Sequence, residues 1–564
     1  MPEVINVTAA DTHRNSQTRR ARWWPVCVAV ILEVVALVAI WYPSELDRMG
    51  RNVLTALSLV LTCSLLLIWL VAFSRLAWRY RLGTVAGLVL FAVVSASCVR
   101  LTGFSGDLVP SFAWKWTPRA QVFSAPDLAS AATAGMLPHH QDYPQFLGPS
   151  RNAIVSGVRL ATDWESDPPT VLWRRAVGEG WSGFAVSGDY AVTQEKRGDD
   201  ELIVCYRLSS GEPLWEDAER GTFESWFNGS GPRATPTIVD AHVYAMGSTG
   251  RLTCLDLING KRNWSVDVLA DNSAENCLHG KSCSPLVVGE NVIVSAGGKN
   301  GHSLVAYDRT LGHRVWSAGD DLSSYSSPMM VDLAGVPQIL ILNKTSLVGH
   351  DPVDGHVLWS EPLPAGDDAH RVAQPLLLDG NQLIEFAGFG LGGKRLRCEI
   401  TEHADWQITT LWESRWFQPN FANFVSCQGS IYGLDGGILA CIDEATGERR
   451  WKKGRYGHGQ VMLVGDVILV MAESGAVALV NPDPSRHVEL ARFDALNNKT
   501  WNHPALAAPY LVVRNAEEAV CLELPLASPL ADQVTAVSPT EQGAADHAAH
   551  PRGPARRSTL GNEP

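Results

Sequence analysis

The phrase Leu255-Asp256-Leu257-Ile258-Asn259-Gly260-Lys261-Arg262-Asn263-Trp264 occurs five times in this chain with nearly fixed wording. In every copy a glycine precedes the tryptophan by four residues, and the copies return at intervals of about 40 to 50 residues, the period of a propeller blade or of a solenoid unit. The other full copies are Asp308, Gly312 and Trp316; Asp351, Gly355 and Trp359; and Asp443, Gly447 and Trp451. The first copy has Gly211 and Trp215, with Arg207 in place of aspartate.

Each copy of the phrase predicts a β-hairpin turn followed by a packing anchor. The aspartate can accept hydrogen bonds from turn amides, and the glycine can take the positive φ that a three- to five-residue hairpin loop requires. The tryptophan opens the next strand and offers a large flat face to an adjoining sheet. Because each unit holds several strand-like segments and no helical pattern, a ring of four-stranded blades explains the period better than a solenoid.

A second signal, an apolar run after a polar or proline-containing loop, marks the first strand of each unit. It occurs eight times, at Gly183, Thr235, Ser284, Ser327, Gln374, Asn423, Gln460 and His503. The last unit ends at Pro525 without an outer strand, whereas an unpaired strand-like segment, Thr170–Val177, precedes the first unit. Pairing these ends would close the ring and remove an exposed edge. The sequence therefore predicts an all-β eight-bladed propeller over residues 143–525.

Three apolar stretches precede the propeller and predict a transmembrane three-helix anchor over residues 24–99. Each is long enough to cross the ~30 Å hydrocarbon core as a helix. The alternative for the first stretch is a cleaved signal peptide, although two spans would then still anchor the domain. The stretches are Trp24–Trp41, Val53–Phe73 and Leu82–Val99.

Basic residues predict the orientation of this anchor. Arginines crowd the N-terminal flank (residues 1–23) and the loop between the second and third spans, so both should face the cytoplasm. After three crossings, the propeller would lie on the periplasmic or extracytoplasmic side of the cytoplasmic membrane. The arginines are Arg14, Arg19, Arg20 and Arg22 in the flank, and Arg75, Arg79 and Arg81 in the loop.

The remaining segments carry less information. Residues 100–142 are expected to be a linker, and the tail at 526–564, rich in Ala, Pro, Gly and Thr, is expected to be disordered. Glu33 lies inside the first span, where an acid is either functional or bonded to a neighbouring helix, and we favour the second reading. A net charge of −13 and the lack of a dense basic stripe argue against nucleic-acid binding.

Two of the eleven cysteines stand apart from the repeat. Cys277 and Cys283 fall in an irregular loop before the first strand of a unit, and in an oxidising compartment a disulfide between them is the leading hypothesis. A metal pair with His279 is a weaker alternative, since spacing alone supports it, and we predict no metal site. The sequence has no haem-attachment motif, phosphate loop or nucleophile elbow that would indicate catalysis.

The loops that lead into the innermost strands ring one end of a propeller channel, which we call the mouth. Aromatic and charged groups that converge on such a concave surface predict binding of a ligand or partner there, and the alternative is that they cap the ring and satisfy loop backbones. The candidates are Trp181, Trp226, Arg233, Lys281, Tyr325, His370, Arg371, His458, Trp501 and His503, and we assign no catalytic residue.

The Asp-x-x-x-Gly-x-x-x-Trp phrases resemble those of the PQQ-like, or quinoprotein-dehydrogenase-like, β-propeller repeat family. The lead-in Tyr143-Pro144-Gln145-Phe146-Leu147-Gly148-Pro149 is also similar to that family. The resemblance implies one of two activities. The enzymatic branch holds PQQ with calcium and oxidises alcohols or sugars, and the other branch, which includes an outer-membrane assembly factor, binds protein partners. This chain lacks the adjacent cysteine pair of the alcohol-oxidising members, and its compact blades look more like the second branch.

We therefore predict a membrane-anchored, non-catalytic scaffold that binds a protein or an envelope component at the mouth. The alternative is a PQQ- and calcium-dependent dehydrogenase, with Asp367, His370 or Arg371 near the cofactor and Glu33 near a quinone. A sensor that moves its membrane helices ranks last, because no cytoplasmic output domain is visible in the sequence.

Overall fold

The computed structural model describes residues 23–42, 48–117, 140–225, 229–364 and 370–527. Residues 1–22 of the basic N-terminus, part of the expected linker and residues 528–564 of the expected disordered tail lie outside these ranges. Two of the residues singled out above, Trp226 and Asp367, also lie outside the described residues.

Three helices precede the propeller, and each is long and apolar enough to cross a membrane. They are α1 (Trp24–Trp41), α2 (Arg48–Ile68), which continues as a π-helical turn over Trp69–Phe73, and α3 (Trp78–Cys98). Inside α1, the Glu33 carboxylate accepts hydrogen bonds from Ser58 Oγ at 3.0 Å and from Thr62 Oγ1 at 2.7 Å, both on α2. The acid thus joins two helices, as in the reading favoured above.

A β-hairpin follows α3 directly, within the segment expected to be a linker. It consists of β1 (Val99–Phe104) and β2 (Pro110–Trp114), which pair antiparallel. Two further strands, β3 (Ile154–Val155) and β4 (Thr170–Ala176), lie between this hairpin and the first blade.

The next strands build the eight blades, each antiparallel and ordered from the channel outward. Blade one is β5 (Ala185–Ser187), β6 (Tyr190–Arg197), β7 (Asp200–Arg207) and β8 (Pro213–Arg220). Blade two is β9 (Thr237–Val239), β10 (His242–Met246), β11 (Arg251–Asp256) and β12 (Arg262–Asp267), followed by the short helix α4 (Val268–Asp271). Blade three is β13 (Leu286–Val288), β14 (Asn291–Ser295), β15 (Leu304–Asp308) and β16 (Arg314–Ala318). Blade four is β17 (Met329–Leu333), β18 (Val336–Leu342), β19 (Ser346–His350) and β20 (Val357–Pro362).

The second half of the ring has the same plan. Blade five is β21 (Leu376–Leu378), β22 (Gln382–Ala387), β23 (Gly392–Ile400) and β24 (Trp406–Ser414). Blade six is β25 (Phe424–Cys427), β26 (Ser430–Asp435), β27 (Ile438–Asp443) and β28 (Arg449–Arg455). Blade seven is β29 (Gln460–Val464), β30 (Val467–Met471), β31 (Ala476–Asn481) and β32 (Val488–Asp494). Blade eight is β33 (Ala505–Ala507), β34 (Tyr510–Arg514) and β35 (Glu518–Glu523), completed by β4.

The closure of the ring is a pair of strands from opposite ends of the domain. Strand β4 pairs antiparallel with β35, with Thr170 opposite Glu523 and Ala176 opposite Glu518. The predicted eight-bladed fold is therefore confirmed, including the outer strand that the last blade borrows from the start of the domain. This arrangement gives blade eight its fourth strand and covers the edge of β35.

The five copies of the repeated phrase each pack their blade against the preceding one. The turn aspartate accepts from turn amides, as Asp256 Oδ1 does from the N–H groups of Ile258 (2.9 Å) and Asn259 (3.0 Å). The turn glycine has a positive φ and packs against the tryptophan of the preceding blade, as Gly260 (φ +70°) does against Trp215. That indole N–H donates to a carbonyl of the next blade, from Trp215 Nε1 to Leu257 O at 2.7 Å.

The lead-in segment lies against the innermost strands of several blades. Strand β3 pairs in parallel with β29 of blade seven. Tyr143 exchanges backbone hydrogen bonds with Val186 of blade one. Arg151, which is 2% exposed, donates to Ser284 O at 2.8 Å and to Pro285 O at 2.9 Å in blade three. The lead-in therefore ties several blades together from inside the ring.

Candidate functional site

The loops before the first strands share one face of the ring, because consecutive strands within a blade are antiparallel. The turns between second and third strands lie on the same face, which is the mouth. The Asp-Gly turns lie on the opposite face. A cavity of about 540 Å³ opens at the mouth, and we call it the mouth cavity.

Aromatic rings line two sides of the mouth cavity. On one side, the rings of His279, Tyr325 and His370 stack with centroids 5.1 to 5.7 Å apart. On the other side, Trp501 stacks on Phe421 at 5.7 Å and lies 4.9 Å from Trp181. Rings in these orientations present flat apolar surface with polar edges, which suits an aromatic or apolar guest.

The lead-in segment and the hairpin β1–β2 both contribute to the lining of the mouth cavity. Phe146 of the lead-in lines it and contacts the ring of His503 edge-on at 5.4 Å. On the membrane-helix side, three residues of the hairpin tip and one of α2 complete the lining; they are Ser105, Gly106, Leu108 and Met49. The cavity is therefore walled by the propeller and partly roofed by the membrane-anchor segment.

Asp107 fastens the hairpin tip to the mouth. Its carboxylate lies 3.0 Å from His458 Nε2, in the loop before blade seven, and 3.4 Å from Arg455 Nη1, at the end of β28 in blade six. Arg48 at the start of α2 approaches the same carboxylate to 3.4 Å. Burial acts to raise the pKa of Asp107, but the hydrogen bond from His458 and the charges of the two arginines outweigh it, so the pKa lies below its usual value. We call these four residues the Asp107 cluster.

Two further polar contacts hold the same tip. The Gly106 N–H donates to Glu473 Oε1 at 2.7 Å, and Lys499 Nζ donates to Phe104 O at 3.0 Å. The ammonium of Lys499 also lies over the rings of Trp501 and Trp181, at 4.2 and 4.9 Å from their centroids. Lys499 therefore contacts both the docked hairpin and the aromatic wall of the mouth cavity.

Two cations stand at the mouth, Arg233 in the lining of the mouth cavity and Lys499 over its aromatic wall. Burial lowers the pKa of Arg233 to about 10 and that of Lys499 to about 8, so both remain largely cationic at neutral pH. Burial, with the neighbouring His370 and Arg233, lowers the pKa of His279 to about 4. Burial likewise lowers the pKa of His503 to about 3, and both imidazoles are neutral at pH 7. Among the described residues, neither Arg233 nor Lys499 forms an ion pair.

The structure brings six of the predicted mouth residues together around the mouth cavity: Trp181, Arg233, Tyr325, His370, Trp501 and His503. Three others do not line it. His458 belongs to the Asp107 cluster, and Lys281 and Arg371 are each 1% exposed. Sequence reasoning missed four of the lining aromatic residues, which carry no repeat signature: Phe146, His279, Phe389 and Phe421.

Lys281 and Arg371 satisfy backbone carbonyls inside the ring. Lys281 Nζ donates to Ala296 O at 2.7 Å and to Ser295 O at 3.2 Å. Arg371 donates to Pro364 O at 2.6 Å, and its guanidinium lies 3.9 Å from the Glu385 carboxylate. Both side chains therefore support loops of the mouth from within, the alternative that was left open for such residues.

Cys277 and Cys283 are not joined, contrary to the disulfide hypothesis. Both are free thiols. Cys277 Sγ lies 3.2 Å from Ser323 Oγ, whereas Cys283 Sγ is buried and accepts from the Ser295 N–H at 3.3 Å. The two sulfurs thus have separate partners. The His279 ring, the third member of the weaker metal hypothesis, stacks with Tyr325 and His370 in the wall of the mouth cavity.

The donor set of the mouth cavity does not match what PQQ with calcium requires. Calcium takes oxygen ligands, chiefly carboxylates, and a dehydrogenase needs a base for the substrate proton. The described lining holds no aspartate or glutamate, and its side-chain amides are those of Asn423 and Gln460. The described lining therefore offers no carboxylate set for calcium, although the imidazoles of His279, His370 and His503 lie in it.

The fold and the cavity define an eight-bladed β-propeller protein with an aromatic cavity at its loop-rich face and an N-terminal group of apolar helices. A family model described as outer membrane protein assembly factor BamB matches residues 164–276 and 229–453, which together are just over half of the chain. The chain belongs to this family of PQQ-like β-propellers.

A relative found by sequence agrees with this membership. The outer membrane protein assembly factor BamB of Moranella endobia (strain PCIT) is 27% identical over 197 residues, which are 33% of this chain and 43% of that protein. This chain thus matches less than half the length of that relative.

Solved structures resemble this chain at low sequence identity. A quinohemoprotein alcohol dehydrogenase from Comamonas testosteroni has a TM-score of 0.50 and 11% identity, over 69% of this chain and 81% of that one. BamB from Moraxella catarrhalis has a TM-score of 0.47 and 15% identity, over 63% of this chain and 100% of that one. At 11% identity the likeness to the dehydrogenase concerns the fold alone.

Proposed function

We propose that this protein is a membrane-anchored, non-catalytic scaffold that captures a protein or peptide partner at its mouth. The aromatic wall of the mouth cavity carries the proposal. Large, rigid aromatic side chains around a concave pocket are the residues that dominate binding energy at protein interfaces. Membership in a family described as an assembly factor supports a partner-binding role rather than a catalytic one.

The partner segment would insert an apolar or aromatic side chain between the two ring stacks. Arg233 and Lys499 would favour a segment that carries acidic groups beside that side chain, since neither cation forms an ion pair among the described residues. The three helices would hold the propeller on the outer side of the cytoplasmic membrane, as the distribution of arginines favours.

Site-specific photocrosslinking in the native membrane tests this proposal. A benzophenone amino acid at Phe389, in the wall of the mouth cavity, should form adducts with one polypeptide partner. The matched control places it at Val353, which is 78% exposed in an Asp-Gly turn on the opposite face. Adducts of the same yield from both positions, or none from Phe389, would count against capture at the mouth.

A second measurement addresses the alternative of a quinoprotein dehydrogenase. Calorimetric titration of the purified protein with PQQ plus calcium, beside a dye-reduction assay, should show no binding and no substrate-dependent reduction. Binding with dye reduction would make the protein an oxidoreductase and would overturn the scaffold proposal.

A further inference from the structure

The hairpin β1–β2 exposes one continuous apolar face. Directly opposite residues of an antiparallel pair project to the same side of the sheet. Val99 pairs with Trp114, and Leu101 pairs with Phe112, so these four side chains share a face. Leu101, Phe112 and Trp114 are 47%, 64% and 54% exposed. Propeller contacts therefore leave this face uncovered in the described structure.

A stacked tryptophan pair extends this face beyond the strand. The rings of Trp114 and Trp116 lie 5.0 Å apart at an interplanar angle of 12°, and Trp116 is 65% exposed. The opposite side of β2 carries the small residues Ser111 and Ala113, which alternate along the strand with Phe112 and Trp114. The hairpin is thus amphipathic, with its bulky residues on the side away from Ser111.

The position of this face along the chain identifies what covers it. Strand β1 begins at Val99, the residue after the last residue of α3, and the Lys115 N–H donates to Cys98 O at 2.8 Å. The tryptophan pair therefore lies level with the end of a helix long enough to cross a bilayer. Tryptophan is enriched at this depth, where an apolar ring with a polar edge meets the headgroups, and lysine extends there toward water and phosphate.

We infer that the face formed by Leu101, Phe112, Trp114 and Trp116 is a lipid-contact surface that lies in the outer interface of the bilayer. The inference rests on the proposed membrane span of α3 and not on any partner. Because the hairpin tip is docked on the propeller through the Asp107 cluster, a hairpin lying on the bilayer holds the mouth close to the membrane surface. The mouth would then receive partners at or within the membrane rather than from the open compartment.

Depth-dependent quenching in nanodiscs tests this inference on the full chain. A fluorescent amino acid replaces Phe112, and the protein is reconstituted into phosphatidylcholine brominated near the headgroup end of its acyl chains. The matched control carries the same probe at Ser111, the exposed neighbour on the other side of β2. A third protein carries it at Phe91, 72% exposed within α3, and reports insertion of that helix.

We expect brominated lipid to quench the probe at Phe112 to an extent approaching that at Phe91, and to leave the probe at Ser111 bright. Quenching at Phe91 with none at Phe112 would overturn the lipid contact while leaving the membrane span in place. A probe at Phe112 that is shielded from lipid and from an aqueous quencher alike would show that a protein surface covers the face instead. No quenching at Phe91 would remove both the span and the inference.

Discussion

Single residues hold neighbouring blades together through a contact between one glycine and one tryptophan. A Cβ on Gly260 would lie 2.6 Å from Cδ2 of Trp215, and the same geometry joins Gly211 to Trp173 and Gly312 to Trp264. A glycine is required for two reasons: the turn has a positive φ, and the indole ring leaves no room for a Cβ. Trp173 belongs to β4, so the strand that closes the ring also supplies a blade-to-blade anchor.

Replacing this glycine should cost more than replacing a turn glycine that has open space around it. Gly260→Ala should lower the melting temperature of the purified protein, because it adds a steric clash with Trp215 to a left-handed backbone strain of about 1 kcal/mol. Gly289→Ala (φ +56°, nothing within 4 Å of the added Cβ) carries the strain alone. Equal melting temperatures for the two variants would show that the packing against tryptophan is unimportant.

A buried acid in blade five gives stability a dependence on pH. Glu385 is 2% exposed, and burial raises its pKa from 4.5 to about 7, an effect that Arg371 and Lys394 only partly oppose. Because the folded chain holds this proton more tightly than the unfolded chain, the free energy of unfolding should fall as the pH rises from about 4.5 to about 7.

Removing this carboxylate should flatten that dependence. Between pH 4.5 and pH 7 the wild type should lose at most about 3 kcal/mol of its free energy of unfolding, at 1.36 kcal/mol for each unit of pKa. Glu385→Gln should not show this loss. The measurement is the melting temperature of wild type and variant at half-unit intervals of pH. Glu399→Gln, an exposed acid on β23 of the same blade, should keep the wild-type slope, and an unchanged slope in Glu385→Gln would contradict the assignment.

At the scale of elements, the hairpin β1–β2 is a bridge between membrane helices and propeller. Asn52 of α2 donates to Asp107 O at 2.8 Å, while the Asp107 side chain reaches the propeller. The two parts thus meet at one hairpin tip, beside the mouth cavity. Any movement of α2 that breaks these contacts would also change the roof of the cavity.

Asp107→Asn should release the hairpin tip without unfolding the ring. The change removes charge-assisted contacts with His458, Arg455 and Arg48, with an expected loss of about 2 kcal/mol of docking free energy. Hydrogen–deuterium exchange of the peptide that contains residues 99–114 should therefore rise, whereas exchange in the blades should not. Asp332→Asn, an exposed acid on β17, provides the control.

The pH dependence of the same contact has a defined sign. The pKa of Asp107 lies below its usual 3.8, so the carboxylate stabilises docking above that value, and this contribution is lost as the pH falls through the lowered pKa. Wild-type exchange at the tip should stay constant from neutral pH down to about pH 4, after correction for intrinsic rates. Release of the tip well above pH 4 would argue that Asp107 does not carry the contact.

The hairpin also shows where sequence reasoning stopped. The Asp-Gly-Trp phrase defines blades because each copy acts locally, within one turn and one adjoining strand. Residues 100–142 gave no such signal, and the contact that positions the hairpin joins Asp107 to His458, 351 residues away. Lys281 and Arg371 were assigned to the mouth from their loops, but sequence does not reveal that their side chains turn inward to backbone carbonyls.

For the whole molecule, closure of the ring depends on the pairing of β4 with β35, which we call the seam. Within each of the other blades, all four antiparallel strands are consecutive in the chain, whereas β35 of blade eight pairs with a strand that precedes blade one. The sequence predicted this seam because the last unit lacks an outer strand and an unpaired strand-like segment precedes the first unit. Among the paired strands of the described residues, β4 and β35 are the farthest apart in sequence, and their pairing therefore carries the largest loop-closure entropy of these strand pairs.

A disulfide across the seam should stabilise the protein more than a disulfide within a blade. Thr170→Cys with Glu523→Cys joins directly opposite residues of β4 and β35, and Asp200→Cys with Arg220→Cys joins directly opposite residues of β7 and β8. In the chain-entropy model the contribution of a crosslink grows as about 1.5RT ln n, where n is the number of residues in the closed loop. The seam crosslink closes the loop from residue 170 to residue 523 and the local one closes the loop from 200 to 220, so the seam should gain by roughly 2 to 3 kcal/mol over the local crosslink. The difference in melting temperature between oxidised and reduced samples of each variant isolates the crosslink from the substitutions.

If the seam opens first on heating, its oxidised form should melt at the higher temperature. Equal gains from the two crosslinks would instead mean that unfolding begins inside a blade and that ring closure does not limit the stability of the propeller.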